Sequence, residues 1–389
     1  MQTLLFHVNS FLTGGIEKIL LEILKGLDPK RYRIKLSIAF NMGEQELLKP
    51  QIPSYVEVNY LLEHYILTTP HKNKKTGQTN TLEKALSEMV LPSVQKIVKR
   101  NKLKKILHDV DVVIDFDTTL APLYKLFAHK KSIAYCHFGF DNIWKGKRRK
   151  LDKLAMRLSH YDKLVMLCDE MKEDAAKMYP VLMPKLVRIY NALDLETIRD
   201  LSNESVEIPD EFLKHGYFIS VGRLHEAQKD FTTLLKAYKT ARARYGVKEH
   251  LIIVGKGGDK IALETLAKDL EIAEKVLFTG LQKNPYKWMH NAKLFLFSSK
   301  YEGLPTVLIE AHALGLPIVA TKTPTGVTEL LMNGKTGTLV AVGDEDEMAI
   351  AIKELSADPA LQQQYKIKAA ELLKQFEIGY MVPKLEELF

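Results

Sequence analysis

The chain has 389 residues, 46% hydrophobic and 27% charged, a composition typical of a globular protein with room for two α/β domains. Its two cysteines exclude a disulfide framework and a thiolate metal site, and its apolar runs fall short of the roughly 20 residues that cross a membrane, which predicts a cytoplasmic protein. The net charge of +8 is concentrated in residues 1–190, with 32 Lys and Arg against 20 Asp and Glu.

Short β-rich runs alternate with amphipathic helical stretches, which predicts parallel sheets flanked by helices. Strand candidates in the first half lie at 3–8, 33–40, 111–115, 132–136, 163–167 and 187–190. A second set lies at 217–222, 250–255, 275–280, 293–299, 316–321 and 336–340. We expect an α/β protein with two Rossmann-like, doubly wound domains facing a cleft. The expected bounds are 1–192, a polar linker at 193–213, a second domain at 214–375, and a helix at 376–389 that crosses back onto the first domain.

Two basic stretches, at 96–105 and 145–157, also hold apolar residues at helical spacing. Such helices suit the anionic inner surface of a membrane, so we expect peripheral association. The alternative is that each is a solvated helix face. No recognised nucleic-acid-binding motif accompanies the basic residues, and we expect no nucleic-acid partner.

The stretch YEGLPTVLIEAHALGLPIVAT (301–321) has the pattern of a loop, a helix and a strand, with the helix starting after Pro305 and ending at Gly315. The first helical amides, of Thr306, Val307 and Leu308, are expected to lack partners within the helix and to favour a phosphate.

Two carboxylates border this helix start, Glu302 in the loop and Glu310 inside the helix. Carboxylates accept hydrogen bonds from sugar hydroxyls, so a phosphate site beside them suggests a nucleotide sugar. The alternative for Glu310 is a helix residue that faces water.

Two further clusters follow strand candidates. Arg223 and Lys229 follow the strand at 217–222, where two cations can neutralise a diphosphate. Gly14 and Gly15 follow the first strand and allow the backbone to approach a ligand closely, although the GxGxxG spacing is absent. The Gly-rich turn GKGGDK (255–260) is similar but nonspecific.

Four segments together resemble the retaining glycosyltransferases of family 4: GGIEK, VGRLHEAQKDF, the stretch from NPYKWMH to LPIVAT, and TPTGVTELLMNGKTGTLV. This family has the GT-B fold, and the NPY and TPTG segments are similar to the bacterial branch that builds surface polysaccharides, including capsule, and lipopolysaccharide. The resemblance covers nearly the whole chain. It implies transfer of a hexose or N-acetylhexosamine from a nucleotide diphosphate sugar, with UDP preferred, to a glycan or lipid-linked acceptor. It implies neither a cofactor nor a metal.

Carried onto this chain, the resemblance implies that Arg223 and Lys229 hold the donor diphosphate, Glu310 the ribose hydroxyls, and Glu302 the transferred sugar. His137 matches the histidine that faces the donor sugar. The expected catalytic residues are thus His137, Glu302, Arg223 and Lys229. The other expected donor contacts are backbone groups, at Gly14, Gly15, Gly303, Leu304, Pro305, Thr306 and Val307.

Three alternatives stay open. A metal-dependent transferase would use Asp115 and Asp117, which follow a strand as an Asp-x-Asp pair. A GDP-mannose-type mannosyltransferase would share the same site. A phosphorylase with pyridoxal phosphate, or a binding module, would share the fold but not the activity. The acceptor is expected to contact the first domain, including the polar segment 71–80.

Overall fold

The computed structural model describes residues 1–12, 14–68, 91–140 and 147–389, and the polar segment 71–80 lies outside them. The chain divides into two compact units. The first unit contains Met1–Leu167, Lys172–Ala192 and Ile378–Phe389, and the second contains Cys168–Met171 and Leu193–Glu377.

The first unit is built on a seven-stranded parallel sheet in the order β3-β2-β1-β4-β5-β6-β7. Its strands are β1 (Gln2–Val8), β2 (Tyr32–Phe40), β3 (Val56–Leu62), β4 (Val112–Asp115), β5 (Lys131–Cys136), β6 (Lys163–Met166) and β7 (Leu186–Arg188). The central strands are buried on both faces and therefore read as continuous apolar runs.

The second unit is built on a six-stranded parallel sheet in the order β10-β9-β8-β11-β12-β13. Its strands are β8 (Tyr217–Val221), β9 (His250–Val254), β10 (Val276–Gly280), β11 (Leu294–Phe297), β12 (Ile318–Thr321) and β13 (Thr338–Val340). Phe218, Leu251 and Leu296 belong to its hydrophobic core.

Both sheets reverse their strand order at one point, between β1 and β4 in the first unit and between β8 and β11 in the second. In doubly wound sheets the connections leave this point in opposite directions, so a crevice opens outside the carboxyl ends of the two strands. The loops after β8 and β11 are therefore the expected ligand-binding loops of the second unit.

Helices cover the sheets. Those of the first unit include Gly15–Gly26, Leu91–Ile106, Arg148–Leu158, the greater part of Asp169–Met178, and Ile378–Glu386. Those of the second unit are Leu195–Ser202, Asp210–His215, Glu226–Lys229, Phe231–Tyr245, Lys260–Asp269, Tyr286–Met289, Thr306–Ala313, Val327–Leu330, Glu345–Ala357 and Pro359–Leu373.

The last helix, Ile378–Glu386, packs on the first helix of the same unit, Gly15–Gly26. A Cβ added at Gly26 would lie 2.7 Å from Ile378 Cγ2, so glycine gives this helix room to approach. Arg31 pairs with Glu386 at 2.9 Å, and the ring of Tyr32 meets that of Phe389 edge-on at 5.5 Å.

Two parts of the fold differ from the sequence expectations. Strand β3 was not predicted, because it lies at the sheet edge and its run VEVNYLL mixes polar with apolar residues. Residues 193–213, expected as a linker, include the helix Leu195–Ser202 and lie in the second unit. Asp194 caps this helix through Thr197 N at 2.9 Å, and Leu195 and Ile198 are buried.

Candidate functional site

The loop after β8 carries both cations that the sequence singled out. Arg223 is exposed, whereas the side chain of Lys229, at the end of helix Glu226–Lys229, is only 16% exposed. Asp230 then turns the chain with a left-handed φ of 50°. Its buried carboxylate accepts a hydrogen bond from Thr233 Oγ1 at 2.9 Å and pairs with Lys300 at 3.1 Å. These contacts offset the cost of a left-handed non-glycine residue and fix the position of Lys229.

Lys229 and Glu302 form an ion pair in which Glu302 is buried and Lys229 is largely buried, with Lys229 Nζ 2.5 Å from Glu302 Oε1. The other carboxylate oxygen lies 3.3 Å from Gln228 Nε2. Glu302 is 6% exposed, and a carboxylate that buried is stable as an anion only with such partners. The structure therefore brings together two residues, Lys229 and Glu302, to which the resemblance assigned separate roles.

The backbone around Glu302 is held by the TPTG segment (323–326). Glu302 N donates to Pro324 O at 3.0 Å, and Thr325 Oγ1 lies 2.9 Å from Glu302 O. A Cβ added at Gly326, whose φ is 76°, would lie 2.5 Å from Gly303 O. Only glycine combines this backbone conformation with this close approach, so the two loops form one rigid element.

The helix after this loop begins and ends where the sequence predicts. Pro305 precedes its first residue, and Gly315, with a φ of 68°, follows its end and donates from its amide to His312 O at 2.9 Å. Within the described chain the amides of Thr306 and Val307 have no hydrogen-bond partner. Leu308 was wrongly expected to share this property, because its amide turns back to Pro305 O at 3.0 Å. Two amides at the positive end of the helix dipole are thus available to an anion.

Glu310 lies inside this helix and is 5% exposed, which excludes the alternative that it faces water. Its Oε1 lies 3.3 Å from the hydroxyl of Tyr286, in the NPY segment. Gly303, Leu304 and Pro305 are buried, whereas Thr306 and Val307 are partly accessible. Among residues 303–307, the accessible part of the expected donor surface is therefore the start of the helix.

The Gly-rich turn after β9 has a packing role. A Cβ added at Gly255 would overlap Gly222 O, and one added at Gly257 would overlap Leu224 O. The amide of Leu224 also donates to Lys256 O at 3.0 Å. This turn therefore supports the loop that carries Arg223, by letting two backbones approach each other.

In the first unit, Gly14 and Gly15 lie at the start of helix Gly15–Gly26. A Cβ added at Gly14 would overlap the carboxylate of Glu17, whereas one added at Gly15 would meet no atom of the described residues within 4 Å. The contacts described therefore do not require glycine at position 15. A role in closing over a diphosphate stays a prediction for both residues.

His137 follows β5 and is buried, with Nε2 2.7 Å from Phe116 O. That carbonyl can only accept, so Nε2 carries the proton and Nδ1 is left as an acceptor. Burial disfavours the imidazolium and lowers the pKa of His137 to about 4. At neutral pH this side chain is an uncharged hydrogen-bonding group.

Asp115 is the last residue of β4 and Asp117 lies two positions beyond it, but protein groups occupy most of their oxygens. Asp115 Oδ2 accepts from Tyr161 Oη at 2.7 Å and Leu120 N at 3.0 Å, and Asp117 Oδ2 accepts from Asn9 N at 2.7 Å. Burial, and then the charge of Asp117, raise the pKa of Asp115 to about 8. Within the described ranges no group of three or more His, Cys, Asp or Glu side chains could hold a metal ion.

The basic stretches form helices in the first unit, except that residues 145 and 146 lie outside the described ranges and Lys147 precedes the helix. Helix Arg148–Leu158 buries a leucine stripe and exposes Arg148 and Arg149. Helix Leu91–Ile106 exposes Ile97 to 60% beside Lys96 and Arg100. Of the helices in the part of the chain described, none is both long and apolar enough to cross a membrane.

Sequence reasoning missed the residues that hold the site together. Gln228, Ser298 and Thr325 contact the residues predicted to bind the donor, yet none was assigned a role. Gln228 is adjacent to Lys229, and Thr325 lies in TPTG, so position relative to the motifs could have indicated both.

Comparisons with known proteins identify a matching family model and relatives of this chain. Residues 202–372 match the family model described as glycosyl transferases group 1. The Campylobacter jejuni N-acetylgalactosamine-N,N'-diacetylbacillosaminyl-diphospho-undecaprenol 4-alpha-N-acetylgalactosaminyltransferase is 36% identical over 205 residues, which is 53% of each chain. A Haemophilus influenzae glycosyltransferase is 25% identical over 383 residues, 97% of this chain and 96% of its own. This chain therefore aligns with about half of the Campylobacter relative and nearly all of the Haemophilus one.

Solved structures match over the full chain. Anabaena HepE in complex with UDP-glucose superposes with a TM-score of 0.77 at 18% identity, covering 100% of this chain and 99% of HepE. Staphylococcus aureus TarM superposes with a TM-score of 0.74 at 12% identity, covering 100% and 98%. The two parallel sheets thus form the GT-B fold, as the sequence predicts.

Proposed function

We propose that this chain, which belongs to the group 1 glycosyltransferases, transfers a hexose or N-acetylhexosamine from a UDP-sugar with retention of the anomeric configuration. The proposed acceptor is a glycan or lipid-linked sugar in the synthesis of a bacterial surface polysaccharide or lipopolysaccharide. The observation that carries the proposal is the buried Lys229–Glu302 pair next to the helix that begins at Thr306.

The donor diphosphate is proposed to bind between the two cations after β8 and the start of the helix at Thr306. Lys229 supplies a point charge, Arg223 an exposed planar cation, and the amides of Thr306 and Val307 two fixed donors. When the bond from the anomeric carbon to the diphosphate oxygen breaks, negative charge develops on that oxygen. Fixed donors stabilise this charge without reorganising during the reaction. The acceptor hydroxyl then attacks the anomeric carbon on the face that the diphosphate leaves, and its proton passes to the departing diphosphate oxygen.

The hydroxyl groups of the donor's sugars need neutral or anionic hydrogen-bond acceptors. Glu310, buried beside Tyr286, is proposed to accept from the ribose hydroxyls, and Glu302 to contact the transferred sugar. For His137 we retain the role implied by the resemblance, a hydrogen bond to the donor sugar. Its free acceptor, Nδ1, is suited to a hydroxyl group.

The relatives support this substrate class. The Campylobacter relative is a transferase of N-acetylgalactosamine to a diphospho-undecaprenol-linked sugar, and two Rhizobium meliloti relatives act in lipopolysaccharide core biosynthesis. HepE is known in complexes with UDP and with UDP-glucose. These names favour UDP as the donor nucleotide and a bacterial glycan as the acceptor.

A thermal-shift panel tests the donor. UDP and UDP-sugars are expected to raise the melting temperature more than GDP and GDP-mannose, because a ligand that binds only the folded state stabilises it. The donor that gives the largest shift is then tested for transfer to lipid-linked and free glycan acceptors. A larger shift with GDP-mannose would support the mannosyltransferase alternative, and binding without transfer or donor hydrolysis would support a binding module.

Chelation tests the metal-dependent alternative. Transfer by the proposed mechanism is expected to be unchanged in EDTA, because the cations at the site are side chains. Complete loss in EDTA, restored by manganese, would support the alternative based on Asp115 and Asp117.

We also propose that the enzyme acts at the inner face of the plasma membrane, from the cytoplasm, as a peripheral protein. The support is the exposed Ile97 beside Lys96 and Arg100, which can insert an apolar group while the cations meet anionic headgroups. Sedimentation with phosphatidylglycerol vesicles at low salt tests this. Ile97→Glu is expected to weaken binding, whereas Ile261→Glu, at a 78% exposed isoleucine of the second unit, is the matched control and should not.

A further inference from the structure

The carboxylate of Glu302 is held by two neighbouring residues of one short helix. Lys229 Nζ lies 2.5 Å from Oε1 and Gln228 Nε2 lies 3.3 Å from Oε2. Gln228 Nε2 also lies 3.4 Å from Tyr301 O. Because both neighbours can only accept, they orient the amide with its NH₂ group toward the carboxylate.

The main chain around this contact is fixed independently of the Gln228 side chain. Lys300 N donates to Gln228 O at 2.7 Å, and Ser298 Oγ donates to Lys229 O at 2.9 Å. Lys300 Nζ donates to Glu226 O at 3.1 Å. The loop and the short helix are thus joined through main-chain carbonyls of the helix without the Gln228 side chain, whose amide adds the orientation of the carboxylate.

We propose that Gln228 is a positioning residue that holds Glu302 Oε2 and so keeps Lys229 paired with one oxygen only. An ammonium has three N–H donors, so one contact to Glu302 leaves two for the donor diphosphate. Without the amide, the carboxylate can rotate and engage Lys229 with both oxygens, which competes with the phosphate. This inference rests on the proposed transfer reaction.

Two variants distinguish the effect of the hydrogen bond from Gln228 to Glu302 from the effect of the volume of the Gln228 side chain. Gln228→Met keeps the length of the side chain and removes the donor, so kcat is expected to fall about fivefold at every pH, with KM for the donor changed less than about twofold. Gln228→Glu places a second carboxyl group beside Glu302. Two adjacent carboxylates resist ionising together, so one retains a proton up to a raised pH.

The pH profile is the decisive measurement. Below the raised pKa, the protonated carboxyl of Gln228→Glu still donates to Glu302 and activity is close to that of wild type. Above this pKa, the new charge repels Glu302 and attracts Lys229. The ratio of the variant's kcat to that of wild type is therefore expected to be about tenfold lower at pH 8.5 than at pH 6.

Gln362→Glu is the matched control, because Gln362 Nε2 donates to Leu355 O at 2.7 Å in the same unit but outside the candidate site. Its pH profile is expected to match that of wild type. A Gln228→Glu profile superimposable on wild type, or a Gln228→Met variant with full kcat, would overturn the inference. Absence of transfer by wild type with every donor would instead count against the proposed function, so the two failures are distinguishable.

Discussion

The carboxyl edges of the two sheets differ in how they hold charge. In the second unit, Lys229 pairs with Glu302 and Lys300 pairs with Asp230, so ionised groups are kept next to ionised partners. In the first unit, burial keeps His137 and Asp115 uncharged at neutral pH, with pKa values of about 4 and about 8. The two doubly wound parallel sheets therefore differ in the side chains at their carboxyl edges: paired charges in the second unit and uncharged polar groups in the first.

The difference follows from what each edge can bind. An edge of paired charges can exchange one partner for a diphosphate, since the desolvation of the cation has already been offset. An edge of neutral polar groups has no buried cation to offer a diphosphate but can hydrogen-bond hydroxyls. This contrast supports the proposed roles of Lys229 at the diphosphate and of His137 at a sugar hydroxyl.

Of the variants that test this contrast, Lys229→Ala is expected to have the largest effect on activity. It removes the cation and leaves Glu302 buried without its charged partner, so kcat/KM is expected to fall at least about a thousandfold. Lys293→Ala, which breaks an ion pair to Glu249 of 2.7 Å elsewhere in the second unit, is the control. Initial-rate kinetics on both variants measure the effect, and normal activity in Lys229→Ala would contradict the site assignment.

Glu310→Ala is expected to lower kcat/KM by about a hundredfold, because the ribose hydroxyls lose a charged acceptor. Stabilisation by UDP in a thermal-shift assay should fall in parallel. Glu310→Gln keeps an acceptor oxygen and should lose less. If UDP stabilised Glu310→Ala as much as wild type, the ribose contact would be wrong.

Gly326→Ala tests the rigid loop rather than a charged group. The new methyl would lie 2.5 Å from Gly303 O at a φ of 76°, so the loop before the helix must shift. Transfer is expected to fall about thirtyfold, since misplacement by an ångström reduces catalysis strongly. Gly258→Ala is the control, because a Cβ there meets no atom of the described part of the chain within 4 Å. Equal rates for the two variants would show that the TPTG contact is unimportant.

His137→Gln tests the neutral edge. Glutamine can hydrogen-bond as an uncharged group but does not reproduce the ring geometry, so kcat is expected to fall about tenfold. Because the pKa of His137 is lowered to about 4, wild-type activity should show no inflection near pH 6.5 from this residue. An inflection there that disappears in His137→Gln would mean that the histidine titrates in the working range.

The smallest effect on activity is expected for Asp115→Asn. The pKa of Asp115 is raised from 3.8 to about 8, so the folded protein keeps a proton that the unfolded chain releases. Its contribution to stability is fully present below about pH 4 and is lost as the pH rises through about 8. The urea midpoint of wild type should therefore fall from pH 5 to pH 8, and less so in Asp115→Asn. Equal slopes for the two proteins would contradict this.

Much of the fold could be predicted because parallel strands such as β1 and β9 are buried on both faces and read as apolar runs. The strand β3 could not, since an edge strand needs apolar residues on one face only. Residues 193–213 read as a linker because helix Leu195–Ser202 is short and buries few apolar side chains.

Site residues could be predicted where the residue type and its position relative to a strand or helix indicate its role. Lys229 after β8 and Gly315 at the helix end are examples. Contacts between distant segments could not. Lys229 and Glu302 are 73 positions apart, and no local pattern indicates that they meet. Leu308 shows the same limit at short range, because the tight first turn of its helix depends on the loop that precedes it.

The last helix of the first unit has a consequence for how the protein is made. Arg31 and Glu386, which pair across that unit, are 355 positions apart in the chain. On the ribosome, Leu193–Glu377 must emerge before Ile378–Phe389 can reach the first helix. In a nascent chain that stalls within the second unit, the surface of the first unit around Gly26 is therefore not yet covered by the last helix. Chaperones and proteases recognise such exposed apolar surface.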